Sequence, residues 1–186
     1  LLTVQILLAY GCEVFAFDPA EDKVELAKEL GVMDATSNSR ELQDMTEART
    51  HTHGVDAVIT AQRSVPARLI DPKVKNRSRM HYRMAELQAA KIHEGSWALL
   101  SDEDGFITEG TGANFMIIRD GTILSPEPRN ILRGITRGAI VDLANANGIP
   151  FIETNIDAYD VYNADEAFYC STSFAIMPVA TVDAHK

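Results

Sequence analysis

The sequence has few cysteines and no long apolar run, and both absences limit the class of protein that it can encode. Cys12 and Cys170 are the two cysteines in 186 residues, and they lie far apart in unrelated contexts. They form neither a disulfide framework nor a zinc-ligand pattern, so a reducing compartment is favoured and we predict a cytoplasmic protein. No apolar stretch approaches the roughly 18–20 residues that a membrane-spanning helix needs, and we predict no membrane partner. The apolar residues 1–10 indicate a buried helix rather than a signal peptide.

Positive charge is also scarce. The chain has 17 Lys and Arg against 27 Asp and Glu, which gives a formal net charge of −10. Such a chain is poorly suited to gripping a phosphate backbone by bulk charge, so we predict no nucleic-acid partner. Apolar residues make up 46% of the sequence, which is enough for a core. The length allows one domain or two small ones.

Residues 1–61 predict the first of two parts, a partial Rossmann-like βαβ segment. Strand patterns at 13–18 and 55–60 flank a helix pattern at 20–31, and this order implies a parallel sheet. The run LLTVQILLAYGCEVFAFDPAEDKVELAKELGVMDA resembles the middle of the cofactor domain of zinc-type alcohol dehydrogenases. The resemblance implies that Asp18, at the strand end, bonds the ribose hydroxyls of NAD. The glycine-rich pyrophosphate turn is absent, so the alternative is a structural segment in which Asp18 is a helix N-terminal acid.

The H-x-H pair formed by His51 and His53 is a weak metal signal. Two histidines at this spacing can hold a metal, but no third ligand is near them in the sequence and Gly54 marks a loop. We therefore predict no metal site.

Residues 62–69 predict a linker, and residues 70–186 predict a second domain of mixed α+β type. The segment 62–69 has a proline, charges and little periodicity. Further along, Asp120–Gly121 is a strong turn signal between two apolar runs and predicts a hairpin. Helix patterns cover about 78–94 and 135–147, and strand patterns cover 150–156 and much of 166–183.

Three stretches of this second domain carry the chemistry of a pyridoxal phosphate enzyme. Such an enzyme needs a lysine amine for a Schiff base, a carboxylate against the pyridine nitrogen, and backbone N–H groups at a helix start for the phosphate. The chain offers a candidate for each, in IDPKVKNRSRMHY (70–82), TEGTGANF (108–115) and LRGITRGAI (132–140).

Residues of about 65–183 resemble the large domain of the fold-type IV pyridoxal phosphate-dependent aminotransferases, which include branched-chain and D-amino-acid aminotransferases. The matching runs are IDPKVKNRSRMHY, DGFITEGTGANFMIIRDG, ILRGITRGAI, LANANGI and ADEAFYCSTSFAIMPVATVD. The resemblance implies pyridoxal 5′-phosphate as cofactor and amino transfer between an amino acid, branched-chain or D-, and a 2-oxo acid. It also implies a homodimer, because the sites of this family lie near a subunit interface.

The resemblance assigns a role to each of six residues. Lys75 forms the Schiff base and moves the proton, and Glu109 pairs with the pyridine nitrogen. The other four residues bind the phosphate. They are Ile135 and Thr136 at the helix start, and Thr172 with its neighbour Ser171.

Each assignment has an alternative that carries no function. Lys75 lies in a run of basic residues that a solvated loop would also explain, and Lys73 is the nearest other lysine. Glu109 could be an ordinary turn acid, and Thr136 could be a helix N-terminal residue without a ligand.

The sequence also departs from the family pattern. Branched-chain members have a tyrosine five residues after the lysine, but this chain has Met80 there and Tyr82 two residues later. Ser171 replaces a glycine. We also expect the family's N-terminal domain, with its phosphate-binding arginine, to be missing from this sequence. Two alternative functions follow, an NAD-dependent alcohol dehydrogenase-like fragment and a chimeric scaffold without catalytic activity.

Overall fold

The computed structural model describes Leu8 and residues 15–17, 20–38, 54–76 and 78–185. The chain divides into two compact units, residues 1–53 and 54–186. The predictions made for Asp18, His51 and His53 lie outside the described residues.

The described part of the first unit contains a short parallel β-α-β arrangement. Its elements are β1 (Phe15–Phe17), α1 (Glu21–Glu29) and β2 (Asp34–Thr36). β1 and β2 pair in parallel, and α1 buries Val24 and Ala27 in a cluster with Ala35 of β2. The strand β2 has no sequence signal, because its three residues contain a single apolar side chain. The sequence therefore predicted residues 55–60 as the second strand of this segment.

The second unit combines eight strands with three helices in its described residues. They are β3 (Val55–Arg63), α2 (Met80–Ile92), β4 (Trp97–Ser101), β5 (Ile107–Gly110), β6 (Asn114–Arg119), β7 (Thr122–Pro126), α3 (Ile135–Ala146), β8 (Phe151–Thr154), α4 (Ala158–Tyr162), β9 (Glu166–Ser171) and β10 (Ala175–Val182). The fold of this unit is mixed α and β, as the sequence predicted. The predicted segment boundary at 61/62 falls inside β3, whereas the two units divide at 53/54.

The eight strands form one sheet, and six of these strands close into a ring. Their order is β5-β4-β3-β10-β9-β6-β7-β8, and β5 also pairs with β6. The strand β3 runs parallel to both of its neighbours, β4 and β10. It is therefore an internal strand of this sheet, and the apolar run at 55–60 does not belong to the first unit. A short apolar run fits any buried strand, so the sequence alone did not reveal its partner.

Both faces of β4 and β6 are largely buried, which explains their nearly continuous apolar runs. Along β4, Leu99 packs in the largest apolar cluster. Its neighbours Ala98 and Leu100 point the other way and meet Ala85 and Ala89 of α2. The strands β6 and β9 present one face in the same way to α3. This packing holds α2 and α3 against the sheet.

The predicted hairpin at Asp120–Gly121 is confirmed. The strands β6 and β7 pair antiparallel, and the turn residues have φ values of 50° and 70°. Positive φ at both positions is what a two-residue hairpin turn of type I′ requires. Among the described residues, no helix is both long enough and apolar enough to cross a membrane.

Candidate active site

All six residues singled out by the sequence line one pocket in the second unit. The pocket has a volume of about 310 Å³, which is at the small end of the range for ligand sites. Its walls come from the loop before α2, the end of β5, the start of α3 and the β9–β10 turn. The six residues are Lys75, Glu109, Ile135, Thr136, Ser171 and Thr172.

Glu109, at the end of β5, is the buried acid of the pocket. The residue is 7% exposed. Its Oε1 accepts a hydrogen bond from the Tyr82 hydroxyl at 2.8 Å. Its Oε2 accepts from the Leu132 backbone N–H at 3.0 Å and from the Asn114 amide at 3.3 Å. Glu109 is therefore a fixed, hydrogen-bonded carboxyl group rather than a solvated turn acid.

Two opposing effects act on the proton affinity of Glu109. Burial raises its pKa above the ordinary value, and this effect is the largest. The hydrogen bonds from Tyr82 and from the Leu132 N–H, together with the positive charge of Arg79, act in the lowering direction. Burial, followed by the negative charge of Glu109, raises the pKa of Tyr82, so this hydroxyl stays a neutral donor.

Asn114 joins the glycine-rich turn after β5 to the loop before α3. Its amide donates to the Leu132 carbonyl at 2.7 Å as well as to Glu109. Gly134 makes this approach possible, because a Cβ on it would lie 2.3 Å from Asn114 Oδ1. The buried Asn114 amide thus joins the motifs TEGTGANF and LRGITRGAI, in addition to the bond from the Leu132 N–H to Glu109.

The start of α3 is an open helix N-terminus at the pocket. Gly134 is its N-cap residue and makes no side-chain capping bond. Behind it, Arg137 is 6% exposed and donates to Ser125 Oγ at 3.1 Å and to Glu153 Oε1 at 2.5 Å. These bonds anchor the first turn to β7 and β8. A helix start with free N–H groups attracts anions, and Thr136 adds a hydroxyl there.

The two candidate lysines are in different situations. Lys75 is exposed and lines the pocket. Lys73 is not among the lining residues, and its amine pairs with Asp71 Oδ2 at 3.1 Å. The structure therefore brings Lys75, but not Lys73, to the pocket that contains Glu109.

The β9–β10 turn closes the pocket beside α3. Ser171 and Thr172 both line it, and Thr172 is exposed. The Ser171 hydroxyl lies 2.8 Å from the Ser173 hydroxyl. Ser171, in the place of the family's glycine, thus adds a hydroxyl at this corner.

Sequence reasoning missed three of the residues that shape the site, Tyr82, Asn114 and Arg137. Tyr82 was noted only as a departure, yet it lines the pocket, whereas Met80 at the family's tyrosine position is 72% exposed and does not. Asn114 stood inside a quoted motif, but its role depends on a residue 18 positions away. Within the described ranges, no group of three or more His, Cys, Asp or Glu side chains could hold a metal.

Comparison with known proteins places most of the chain in a known family. The family described as amino-transferase class IV matches residues 29–182. A putative branched-chain-amino-acid aminotransferase of Methanocaldococcus jannaschii is 35% identical over 133 residues, 70% of this chain and 45% of that protein. The enzyme named branched-chain-amino-acid aminotransferase in Pseudomonas aeruginosa is 40% identical over 103 residues, 55% of this chain and 34% of that protein.

Solved structures give the same result. The branched-chain aminotransferase of Thermoproteus uzoniensis with norvaline superposes with a TM-score of 0.68 at 30% identity, over 72% of this chain and 45% of that one. A second branched-chain amino acid aminotransferase, solved with pyridoxamine 5′-phosphate, has a TM-score of 0.68 at 28% identity, over 72% and 44% of the two chains. The present chain spans less than half the length of these relatives.

Proposed function

The chain belongs to the amino-transferase class IV family, and from that premise we propose that it acts in pyridoxal phosphate-dependent amino transfer between an amino acid and a 2-oxo acid. The observation that carries the proposal is the single pocket lined by Lys75, Glu109, Thr136 and Thr172. The names of the relatives favour a branched-chain amino acid as donor.

The donor set of the pocket fits pyridoxal phosphate. An aldehyde needs an amine, a pyridinium nitrogen needs a carboxylate, and a phosphate needs N–H and hydroxyl donors. The pocket has one of each kind, and its acid is buried while its helix start is uncapped. Lys75 would hold the aldehyde end and Glu109 the ring nitrogen. The phosphate would be held by the N–H groups of Ile135 and Thr136 and by the hydroxyls of Thr136, Thr172 and Ser171.

Each group of the chain then has a defined task. When bound, pyridoxal phosphate supplies an electron sink for the bond that breaks at the amino-acid α-carbon. The carboxylate of Glu109 would keep the ring nitrogen protonated, which would maintain that sink. The Nζ amine of Lys75 would take the proton from the amino-acid α-carbon and return it. The start of α3 would hold the phosphate by its N–H groups and dipole, which would limit the motion of the bound group.

A titration with pyridoxal phosphate tests the proposal. We expect the parent chain to bind it with a new near-visible absorption band, and Lys75→Ala to lose this band and bind at least about tenfold more weakly, about 1.4 kcal/mol. Lys73→Ala is the matched control, because it removes another exposed amine two residues away, and should bind as the parent does. Equal binding by Lys75→Ala and the parent would overturn the assignment of Lys75. Transfer of nitrogen from a branched-chain amino acid to a 2-oxo acid then tests the activity.

Several finer assignments are also proposals. We propose a homodimer, with the exposed apolar residues Met80, Met84 and Leu87 on one face of α2 as the supporting observation. Sedimentation of the purified chain tests it. The parallel β1–α1–β2 arrangement accords with a Rossmann-like segment, but the family match already begins at residue 29. NAD binding, the cytoplasmic location and the absence of a nucleic-acid partner stay predictions from the sequence.

A further inference from the structure

Among the described residues, the hydrogen bonds to Glu109 leave one acceptor position of its carboxylate open. An ionised carboxylate has about four acceptor positions, two on each oxygen. Both positions on Oε2 are used, by the Leu132 N–H and the Asn114 amide. One position on Oε1 is used, by the Tyr82 hydroxyl. The remaining position is therefore on Oε1, next to the Tyr82 bond.

We propose that Tyr82 is a positioning residue for Glu109. The Tyr82 hydroxyl favours the ionised form of the carboxylate and turns it so that the free position on Oε1 receives the ring nitrogen of the cofactor. This inference rests on the proposed function, since it names the atom of the chain that meets the cofactor ring. It also gives a role to the tyrosine that departs from the family pattern.

Two neighbouring side chains contact the ring of Tyr82. The Arg79 guanidinium lies over its ring, 5.4 Å from the centroid, and the His81 ring centroid lies 4.2 Å away. Arg79 also donates from Nε to the Asn76 carbonyl at 3.0 Å, and Asn76 follows Lys75 in the chain. A continuous set of contacts thus runs from the loop of Lys75 through Arg79 and Tyr82 to Glu109. The two ends of the proposed cofactor site are linked by residues of this one segment.

Few charged or titratable groups of the described residues act on Glu109. From the start of α2 these are Tyr82, in its first turn, and the N-cap residue Arg79. The sheet side contributes the Asn114 amide and the loop before α3 contributes the Leu132 N–H, and neither of these titrates. Removal of the Tyr82 hydroxyl therefore changes the proton affinity of Glu109 while the bonds to Oε2 stay in place.

The first experiment uses the ligand-free chain with carbon-13 in its glutamate carboxyl groups. The variants are Tyr82→Phe and a matched control, Tyr162→Phe, which removes a tyrosine hydroxyl bonded to a different carboxylate, that of Asp183 at 2.7 Å. A hydrogen bond to a charged group corresponds to about a tenfold to hundredfold effect on an equilibrium. We therefore expect the titration midpoint of Glu109 to rise by about one to two pH units in Tyr82→Phe. The control should leave it unchanged, and an unchanged midpoint in Tyr82→Phe would overturn the proposal.

The second experiment loads the same proteins with pyridoxal phosphate that carries nitrogen-15 in its ring. The nitrogen shift of the parent should report a protonated ring across the neutral pH range, and Tyr82→Phe should lose that proton at a lower pH than the parent and Tyr162→Phe. If the parent chain does not bind the cofactor, the proposed function is wrong, and so is the proposed contact between Glu109 and the ring nitrogen. A parent that binds, with a Tyr82→Phe variant that gives the same nitrogen titration, would overturn the role of Tyr82 alone.

Discussion

Replacement of Asn114 by alanine should remove two hydrogen bonds of the pocket and thereby destabilise the second unit. Asn114 is 5% exposed, and its amide donates to the Leu132 carbonyl at 2.7 Å and to Glu109 at 3.3 Å. Loss of a neutral hydrogen bond costs about 0.5–1.5 kcal/mol, and loss of one to a charged group costs about 1.5–3 kcal/mol. The second bond is long, so we take the lower part of its range. The expected loss in free energy of unfolding is about 2–3 kcal/mol.

Urea unfolding measures this loss, with the m-value used to check that the native and unfolded states stay comparable. Asn163→Ala is the matched control, because its amide donates to a single main-chain carbonyl, that of Tyr159 at 2.8 Å, at the exposed end of α4. The control should lose less than about 1 kcal/mol. If Asn114→Ala were no less stable than Asn163→Ala, the buried amide would not be what joins the two motifs.

Two further predictions concern the pocket acid and the glycines. Burial raises the pKa of Glu109, so the folded chain holds the proton of this carboxyl group more tightly than the unfolded chain does. The proton binding therefore stabilises the fold below a pH of about 4.5, and this contribution to the free energy of unfolding is lost as the pH rises through the raised pKa. Glu109→Gln lacks this loss, so its stability relative to the parent should increase with pH in urea unfolding, and a constant difference would contradict the burial of a titrating carboxyl. Gly110→Ala should cost about 1–3 kcal/mol by overpacking, because its Cβ would lie 2.8 Å from Cε1 of the buried Tyr169. Gly138→Ala, in α3, should instead stabilise the fold by about 0.5–1 kcal/mol, because its Cβ would have no atom within 4 Å outside its own helix. Thermal unfolding of the two variants tests this contrast, and a change in stability of the same sign in both would contradict it.

Local patterns accounted for most of the second unit. The helices α2 and α3 follow apolar spacing, and the β6–β7 turn follows Asp120–Gly121, because each depends on residues near in sequence. The sheet order was not accessible in the same way. The parallel partners of β3 are β4 and β10, which are far from it in the chain, and a buried apolar run does not encode its neighbour.

The candidate site shows the same division between local and distant information. Its six residues came from motifs that resemble a known family, and the structure brings all six to one pocket. Tyr82, Asn114 and Leu132, which hold Glu109 in place, also stand inside those motifs, but the motifs did not predict their hydrogen bonds to it. Tyr82 and Leu132 reach Glu109 because α2 and the loop before α3 lie against the end of β5, and Asn114 reaches it because β6 pairs with β5. Similarly, Lys73 and Lys75 stand in the same basic run of the sequence, and in the fold Lys73 pairs with Asp71 whereas Lys75 lines the pocket.

The most direct test of the account is to find which lysine holds the cofactor. The chain is incubated with pyridoxal phosphate, reduced with borohydride and digested, and the modified peptide is identified by mass spectrometry. The account predicts one dominant modification, at Lys75. Modification spread over several exposed lysines, or concentrated on Lys73, would contradict it.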